Sequence, residues 1–375
     1  MAGIYIHIPY CRKICHYCDF YRVASTVDAA LYGDSLKKEI AFRADYLKGE
    51  PVETIYVGGG TPSVMDAGWL NEILQKISLH HRLDDDCEIT LEANPDDLTE
   101  PYLKAIRELT PIDRLSIGIQ SFRDRDLILM NRRHTAEEAF HCVERARRHG
   151  FSNISADLIY GMPGSTIEDL RYNLDRLFSL DIQHLSAYHL TIEPKTVFFK
   201  KMEKGLIRQV SEEESLSQYR YLIERAGNKG FIHYELSNWA REGHLSKHNT
   251  NYWKHKPYLG LGPSAHSYDI VSRQWNVSNL VQYLQGIRDG NPVYEKEDLS
   301  MADRLNEYLL TSLRTMWGID MKEMEKAFGS PVSERMLKGS EKYIRSGHMK
   351  ATGNKLILSD EGYFISDTIV SDLMV

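Results

Sequence analysis

Three thiols in one short run, Cys11-Arg-Lys-Ile-Cys15-His-Tyr-Cys18, set the chemistry open to this chain. Thiolates are soft ligands that select iron–sulfur clusters, zinc or copper(I). The spacing C-x3-C-x2-C is neither the paired C-x2-C of a zinc ribbon nor the Cys/His alternation of a finger. A single zinc ion would need a fourth ligand, for which His16 and His7 stand close in sequence. Three thiolates suit an iron–sulfur cluster better, because they leave one iron open to a ligand that is not protein. Position 20, where a fourth cysteine would complete a C-x-C ending, is Phe20.

Such a loop needs a rigid frame. Short β-type runs alternate with helical patterns through the first half, the signature of a parallel sheet built from βα units. Strands are expected at Ile4–Ile8, Thr54–Val57, Glu88–Glu92, Arg114–Gly118, Asn153–Asp157 and His184–Tyr188, with helices such as Asp28–Tyr46 and Trp69–Ile77 between them. Six units are too few to close an eight-stranded barrel, so the expected fold is α/β, a partial (βα)6 barrel open along one side. Polar or glycine residues end almost every strand: the cysteines, the turn Gly58-Gly-Gly-Thr-Pro-Ser63, Glu92, Gln120, Asp157 and Tyr188. The carboxyl rim is where barrel folds build their sites.

The glycine turn lets backbone approach a ligand closely, but it lacks the lysine of a phosphate-binding loop, and by itself it reads as an ordinary turn. Carboxylates at Glu92 and Asp157 suit an amine or ribose hydroxyls, Gln120 can donate and accept, and Arg132 can grip a carboxylate with its planar fork. Each of these residues singly serves equally well in a salt bridge or cap. Together they describe a pocket for a ligand with an amine, a carboxylate and a ribose.

At 375 residues the chain is long for one core, and the expected division is 1–195 as the partial barrel, 196–290 as its extension with the loop at His248-Asn-Thr-Asn-Tyr-Trp253, and 291–375 as a separate C-terminal domain. Past residue 195 the alternation breaks down into a helix at Ser211–Lys229 and loops dense in His, Asn and Trp. Helical patterns at Met301–Trp317, Lys322–Phe328 and Ser333–Ser346, a hairpin around Gly353-Asn354 and a last helix from Asp360 suggest a mainly helical, winged-helix-like unit. The net charge of -7 argues against a general nucleic-acid binder. Five cysteines with three in one run are not a disulfide framework, and Cys87 and Cys142 are expected to be inert. With no signal-peptide pattern and no run of about 18 apolar residues, a cytoplasmic protein is expected.

Several separated motifs together resemble one family, the radical S-adenosylmethionine proteins. Cys11, Cys15 and Cys18 look like its cysteine signature, with Tyr17 in the aromatic place beside the adenine. The resemblance implies a [4Fe–4S] cluster whose open iron is chelated by S-adenosylmethionine, with contacts to that cofactor from Tyr5, Tyr17, Gly59, Gly60, Thr61, Glu92, Gln120, Arg132 and Asp157. Within the family the chain is similar to the oxygen-independent coproporphyrinogen III oxidase branch, through Tyr5-Ile-His-Ile-Pro-Tyr-Cys11, Gly58–Pro62, Ser116–Phe122 and Asp157–Pro163. The decarboxylating oxidases resemble C-x3-C-x2-C-x-C and carry an extension before the first strand; Phe20 and the early first strand depart from both.

His248–Trp253 instead resembles the HNxxYW motif of the heme chaperones of this branch. That likeness implies a protein that binds heme and hands it to an acceptor protein, for example a respiratory one, in transient contact that extends to membrane proteins. It implies heme contact at His248, with His244, His255 and His266 as competitors; the net charge argues for no nucleic-acid partner, and a monomer and a homodimer both stay open. The rival readings are a coproporphyrinogen III decarboxylase using a 5′-deoxyadenosyl radical, and a radical enzyme acting on RNA or a small molecule.

Overall fold

The computed structural model describes residues 1–375. Six parallel strands form its centre: β1 (Ala2–Ile8), β2 (Val52–Gly59), β3 (Leu83–Ala93), β4 (Arg114–Gln120), β5 (Asn153–Tyr160) and β6 (His184–His189). The connections carry α1 (Ala29–Phe42), α2 (Ala67–His80), α3 (Glu100–Leu109), α4 (Asp124–Met130), α5 (Ala136–Arg148) and α6 (Ile167–Phe178).

Successive strand residues face opposite sides, and here each side has its own chemistry. Ile4, Ile6, Ile8, Ile55, Val57, Leu91, Leu115 and Ile117 are fully buried in the main core with apolar faces of the helices. Burying one such side chain stabilises by about 1.5–3 kcal/mol. The residues between them, such as Tyr5, His7, Thr54, Tyr56, Glu92, Ser116 and Asp157, turn inward and bond to one another or line cavities. The barrel interior is therefore polar.

The sheet continues past these strands on both sides. The stretch expected to lose its alternation supplies α7 (Val197–Glu203), α8 (Glu212–Asn228) and two antiparallel strands on the β6 side, β7 (Ile232–Glu235) and β8 (Asn238–Ala240). It then supplies α9 (Lys247–Trp253) and, on the β1 side, β9 (Tyr258–Leu261), β10 (His266–Tyr268) and β11 (Ser272–Asn276). After α10 (Leu280–Arg288), β12 (Tyr294–Asp298) completes that edge. The order is β12-β11-β10-β9-β1-β2-β3-β4-β5-β6-β8-β7, and the two ends do not pair, so the barrel stays open.

One expectation is corrected here: His248–Trp253 is helix, not loop. Ser246 caps it, its hydroxyl accepting the Asn249 N–H at 3.3 Å, and His248 and Tyr252, one turn apart on its inner face, meet edge to face.

The C-terminal part is mainly helical: α11 (Met301–Ser312), β13 (Ile319–Asp320), α12 (Met321–Phe328), α13 (Ser330–Arg345), a hairpin of β14 (Met349–Thr352) and β15 (Lys355–Leu358), then α14 (Asp360–Phe364) and α15 (Ser366–Leu373). The helix expected to reach Trp317 stops at Ser312, because the chain beyond it pairs with the β7 segment, Arg314 O accepting the Leu236 N–H and Met316 N–H donating to Tyr234 O, both at 3.0 Å. Gly318 then turns the chain toward the hairpin. Its φ is +60°, and an added Cβ would lie 2.2 Å from the Leu356 carbonyl oxygen. Arg273 to Glu307 (2.5 Å) and Arg220 to Glu361 (2.7 Å) join this part to the rest. No helix is long and apolar enough to cross a membrane.

Candidate cluster and cofactor site

The three-cysteine loop is pinned at several points. Cys11 N–H donates to Val23 O (3.0 Å), His16 N–H to Met130 O (3.0 Å), and the Asn131 amide to Ile14 O (2.8 Å). The loop is thus tied to the α4 corner, where Asn131 takes a left-handed conformation as the C-cap. His16 and His7, the fourth ligands a zinc site would need, are engaged elsewhere. His16 Nδ1 meets Leu129 O at 2.8 Å, while His7 bonds Tyr5 OH and Tyr21 O. No trio of Cys, His, Asp or Glu is packed tightly enough for a single ion; the thiols stand around a cavity.

That cavity, about 400 Å³, lies at the carboxyl rim. It brings together Cys11, Cys15, Cys18, Tyr17, Gly59, Gly60, Thr61, Glu92, Gln120, Arg132 and Asp157. Thr61 OH donates to Cys11 Sγ and Arg132 Nη1 to Cys15 Sγ, both at 3.4 Å. Arg132 Nη2 also donates to Asn94 Oδ1 (2.6 Å) and Gly118 O (2.7 Å), and its Nε has no partner. Glu92 accepts from Tyr56 OH (2.8 Å) and the Gly59 N–H (3.1 Å). Gln120 ends β4 with φ +68°, a conformation unusual outside glycine, which bends its side chain onto the rim.

The donor set fits the group the sequence implies. Hydroxyl and guanidinium donors reach the Cys11 and Cys15 sulfurs and suit anionic ligands. Burial above all pushes the unligated Cys11 and Cys18 thiols up, and carboxylates across the cavity face any cationic ligand. Glu92 is pushed up to about 7 and Asp157 to about 6, in both cases mainly by burial.

These shifts have a sign for stability. A carboxyl with a raised folded-state value holds its proton more tightly folded than unfolded, so stability falls as pH rises. For Glu92 the window runs from the ordinary 4.5 to about 7. The ligand-free protein is expected to lose thermal stability across that window, and Glu92→Gln to flatten the loss. Melting curves between pH 4.5 and 7.5 check it; parallel curves for both proteins would refute it.

Sequence reasoning missed Arg114, Asn94 and Ser116 as lining residues. Arg114 is buried inside β4, its Nη1 donating to Thr90 on β3 at 3.4 Å. The signal was visible: an arginine at the start of an apolar run needs a polar interior. Two expected residues lie outside this cavity. Tyr5 lines a second, larger one of about 720 Å³ that shares Phe20, Tyr188 and Asn249 with the first.

His248 lines neither cavity. Its ring is buried, with Nδ1 on Thr54 Oγ1 and Nε2 on Tyr252 OH, both at 2.8 Å, and it stacks on Tyr56 at 5.0 Å. Burial and the charge of Arg114 push it down to about 3, so the ring is neutral. As placed it anchors α9 inside the barrel and has no nitrogen free for a metal. His248→Ala leaves two buried hydroxyls short of a partner and opens a void, and is expected to cost roughly 3 kcal/mol. A denaturant midpoint equal to wild type would refute this. His244 is likewise outside both cavities, whereas His255 and His266 line the second.

An open α/β barrel with three thiols and a polar cavity on its carboxyl rim defines the radical S-adenosylmethionine class. The sequence model of the Radical SAM superfamily matches residues 5–177, and that of the HemN C-terminal domain matches residues 299–365. "Heme chaperone HemW" of Bacillus subtilis is 36% identical over 335 residues, 88% of this chain and 87% of that protein. The protein of that name from Lactococcus lactis is 32% identical over 99% of this chain and 97% of its own length. Among solved structures, coproporphyrinogen III oxidase (HemN) from Escherichia coli, described as a radical SAM enzyme, aligns over all of this chain and 90% of its own with a TM-score of 0.85 at 23% identity. The chain belongs to the HemW family of radical SAM proteins.

Proposed function

We propose that this protein is a heme carrier: it holds a [4Fe–4S] cluster and S-adenosylmethionine in the rim cavity, binds heme, and releases it to an acceptor protein. The observation that carries the cofactor reading is the convergence of the three thiols, the glycine turn, Glu92, Gln120, Arg132 and Asp157 on one cavity. Cys11, Cys15 and Cys18 hold the cluster. Gly59, Gly60 and Thr61 offer backbone to the cofactor's amine side, Arg132 faces its carboxylate, Glu92, Gln120 and Asp157 take its amine and hydroxyls, and Tyr17 takes the base. When bound, the cluster would supply an open iron for the cofactor's amine and carboxylate to chelate. Arg132 balances negative charge gathered around Cys15. The relatives' name supplies the heme reading, and it supports carriage over catalysis.

A second reading is favoured by one observation, the whole-chain fold match to an oxidase. Radical decarboxylation of coproporphyrinogen III would consume S-adenosylmethionine. Anaerobic reconstitution with iron and sulfide separates the two. Heme and coproporphyrinogen III are added in separate tubes with the cofactor. A stoichiometric heme complex without decarboxylated product is expected; turnover with product would make the protein an oxidase despite Phe20.

A further inference from the structure

The second cavity has the makings of a macrocycle seat. It lies in the open side of the barrel, between β1 and β9–β11 on one lip and β6–β8 on the other. Its volume of about 720 Å³ falls within the roughly 300–1,000 Å³ typical of ligand sites. Trp253, Tyr252, Tyr258 and Tyr268 give it flat apolar faces, and Tyr252 meets Tyr258 edge-on at 4.5 Å between centroids. Aromatic faces of this kind stack on a planar ligand.

Three histidines line it, and they are not equivalent. Both nitrogens of His7 are hydrogen-bonded, and His255 Nε2 is held by Thr311 Oγ1 at 2.6 Å. His266 is exposed, makes no side-chain hydrogen bond, and has its ring fixed by stacking on its cross-strand partner Trp275 at 5.8 Å. Arg273 is the cation of the cavity. Glu307 holds it through Nε, and its ring neighbour is Tyr268. A fork fixed in this way suits a carboxylate.

Resting on the heme-carrier reading, we infer that heme occupies this second cavity, with His266 as the axial ligand to its iron and Arg273 paired with a propionate, next to the cofactor cavity across Phe20 and Tyr188. The heme is cargo here: His266 donates a ring-nitrogen lone pair to the iron, and this ligation leaves the iron's oxidation state unchanged. The absence of a cysteine at position 20 follows the same logic, since an aromatic wall there faces both cavities.

The test is a hemin titration of the reconstituted protein, read by Soret absorption. Wild type is expected to take up one hemin per chain. His266→Ala is expected to bind at least tenfold more weakly with a shifted band, and added imidazole to restore the wild-type band. Arg273→Ala is expected to weaken hemin but not hemin dimethyl ester. A His266→Ala variant with the affinity and spectrum of wild type overturns the placement while leaving the carrier reading intact, as does a spectral loss confined to His248→Gln. If wild type takes up no hemin, the carrier reading falls and this placement with it.

Discussion

Reconstituted Cys15→Ala protein is expected to lose its cluster: iron and acid-labile sulfide fall to background and the broad visible absorption disappears. A four-iron cluster held by three protein thiolates has no ligand to spare. Cys15 is also the sulfur that Arg132 bonds, so its removal leaves a guanidinium facing the cavity with less negative charge to balance it. The matched control is Cys142→Ala. That thiol is buried in α5, donates to Ala139 O at 3.1 Å, and burial pushes it up to about 12, the environment of an inert side chain. Its iron content should equal wild type. A full cluster in Cys15→Ala would remove the basis for the cofactor assignment.

Gly60→Val is expected to cost at least tenfold in S-adenosylmethionine affinity and about 1–3 kcal/mol in stability. A Cβ at this position would lie 2.8 Å from Tyr10 O, 2.9 Å from Ile8 O and 3.1 Å from Cys11 Sγ. Two of these are backbone atoms at the end of β1, and the third is the first thiol. None can withdraw without moving the cysteine loop or the strand. Gly227→Ala is the contrast, since that helical glycine has nothing within 4 Å of an added Cβ. It should stabilise by up to about 1 kcal/mol. Calorimetric titration with the cofactor, beside melting curves, checks both; unchanged affinity in Gly60→Val would show that the turn does not approach the ligand.

The parallel strands were legible because their apolar residues alternate under helices: Arg114–Gly118 and His184–Tyr188 reappear within β4 and β6. The rim was legible for the same reason, as each run ended in polar residues. The edge strands were not. β12 is Tyr-Glu-Lys-Glu-Asp and exposed throughout, so nothing apolar marks it, and its pairing with β11 is a tertiary fact. His248 was legible as a singular residue but not as a buried one. Its two hydrogen-bond partners are Tyr252, four positions on, and Thr54, which lies 194 residues away, and no local pattern announces the second. Cys87, expected just before a strand, lies inside β3, whose polar start Leu83-Asp-Asp-Asp hid its true length.

The polar interior also bears on how long the protein survives when empty. Buried carboxyls such as Glu92 and Asp157 weaken the ligand-free fold near neutral pH, and any ligand bound only by the folded chain adds stability, about 2.7 kcal/mol at one hundred times its dissociation constant. Such a gain cuts the population of opened, cleavable molecules about a hundredfold. Resistance to a protease would then report how much of the protein is loaded, and unloaded copies would be the first to be degraded.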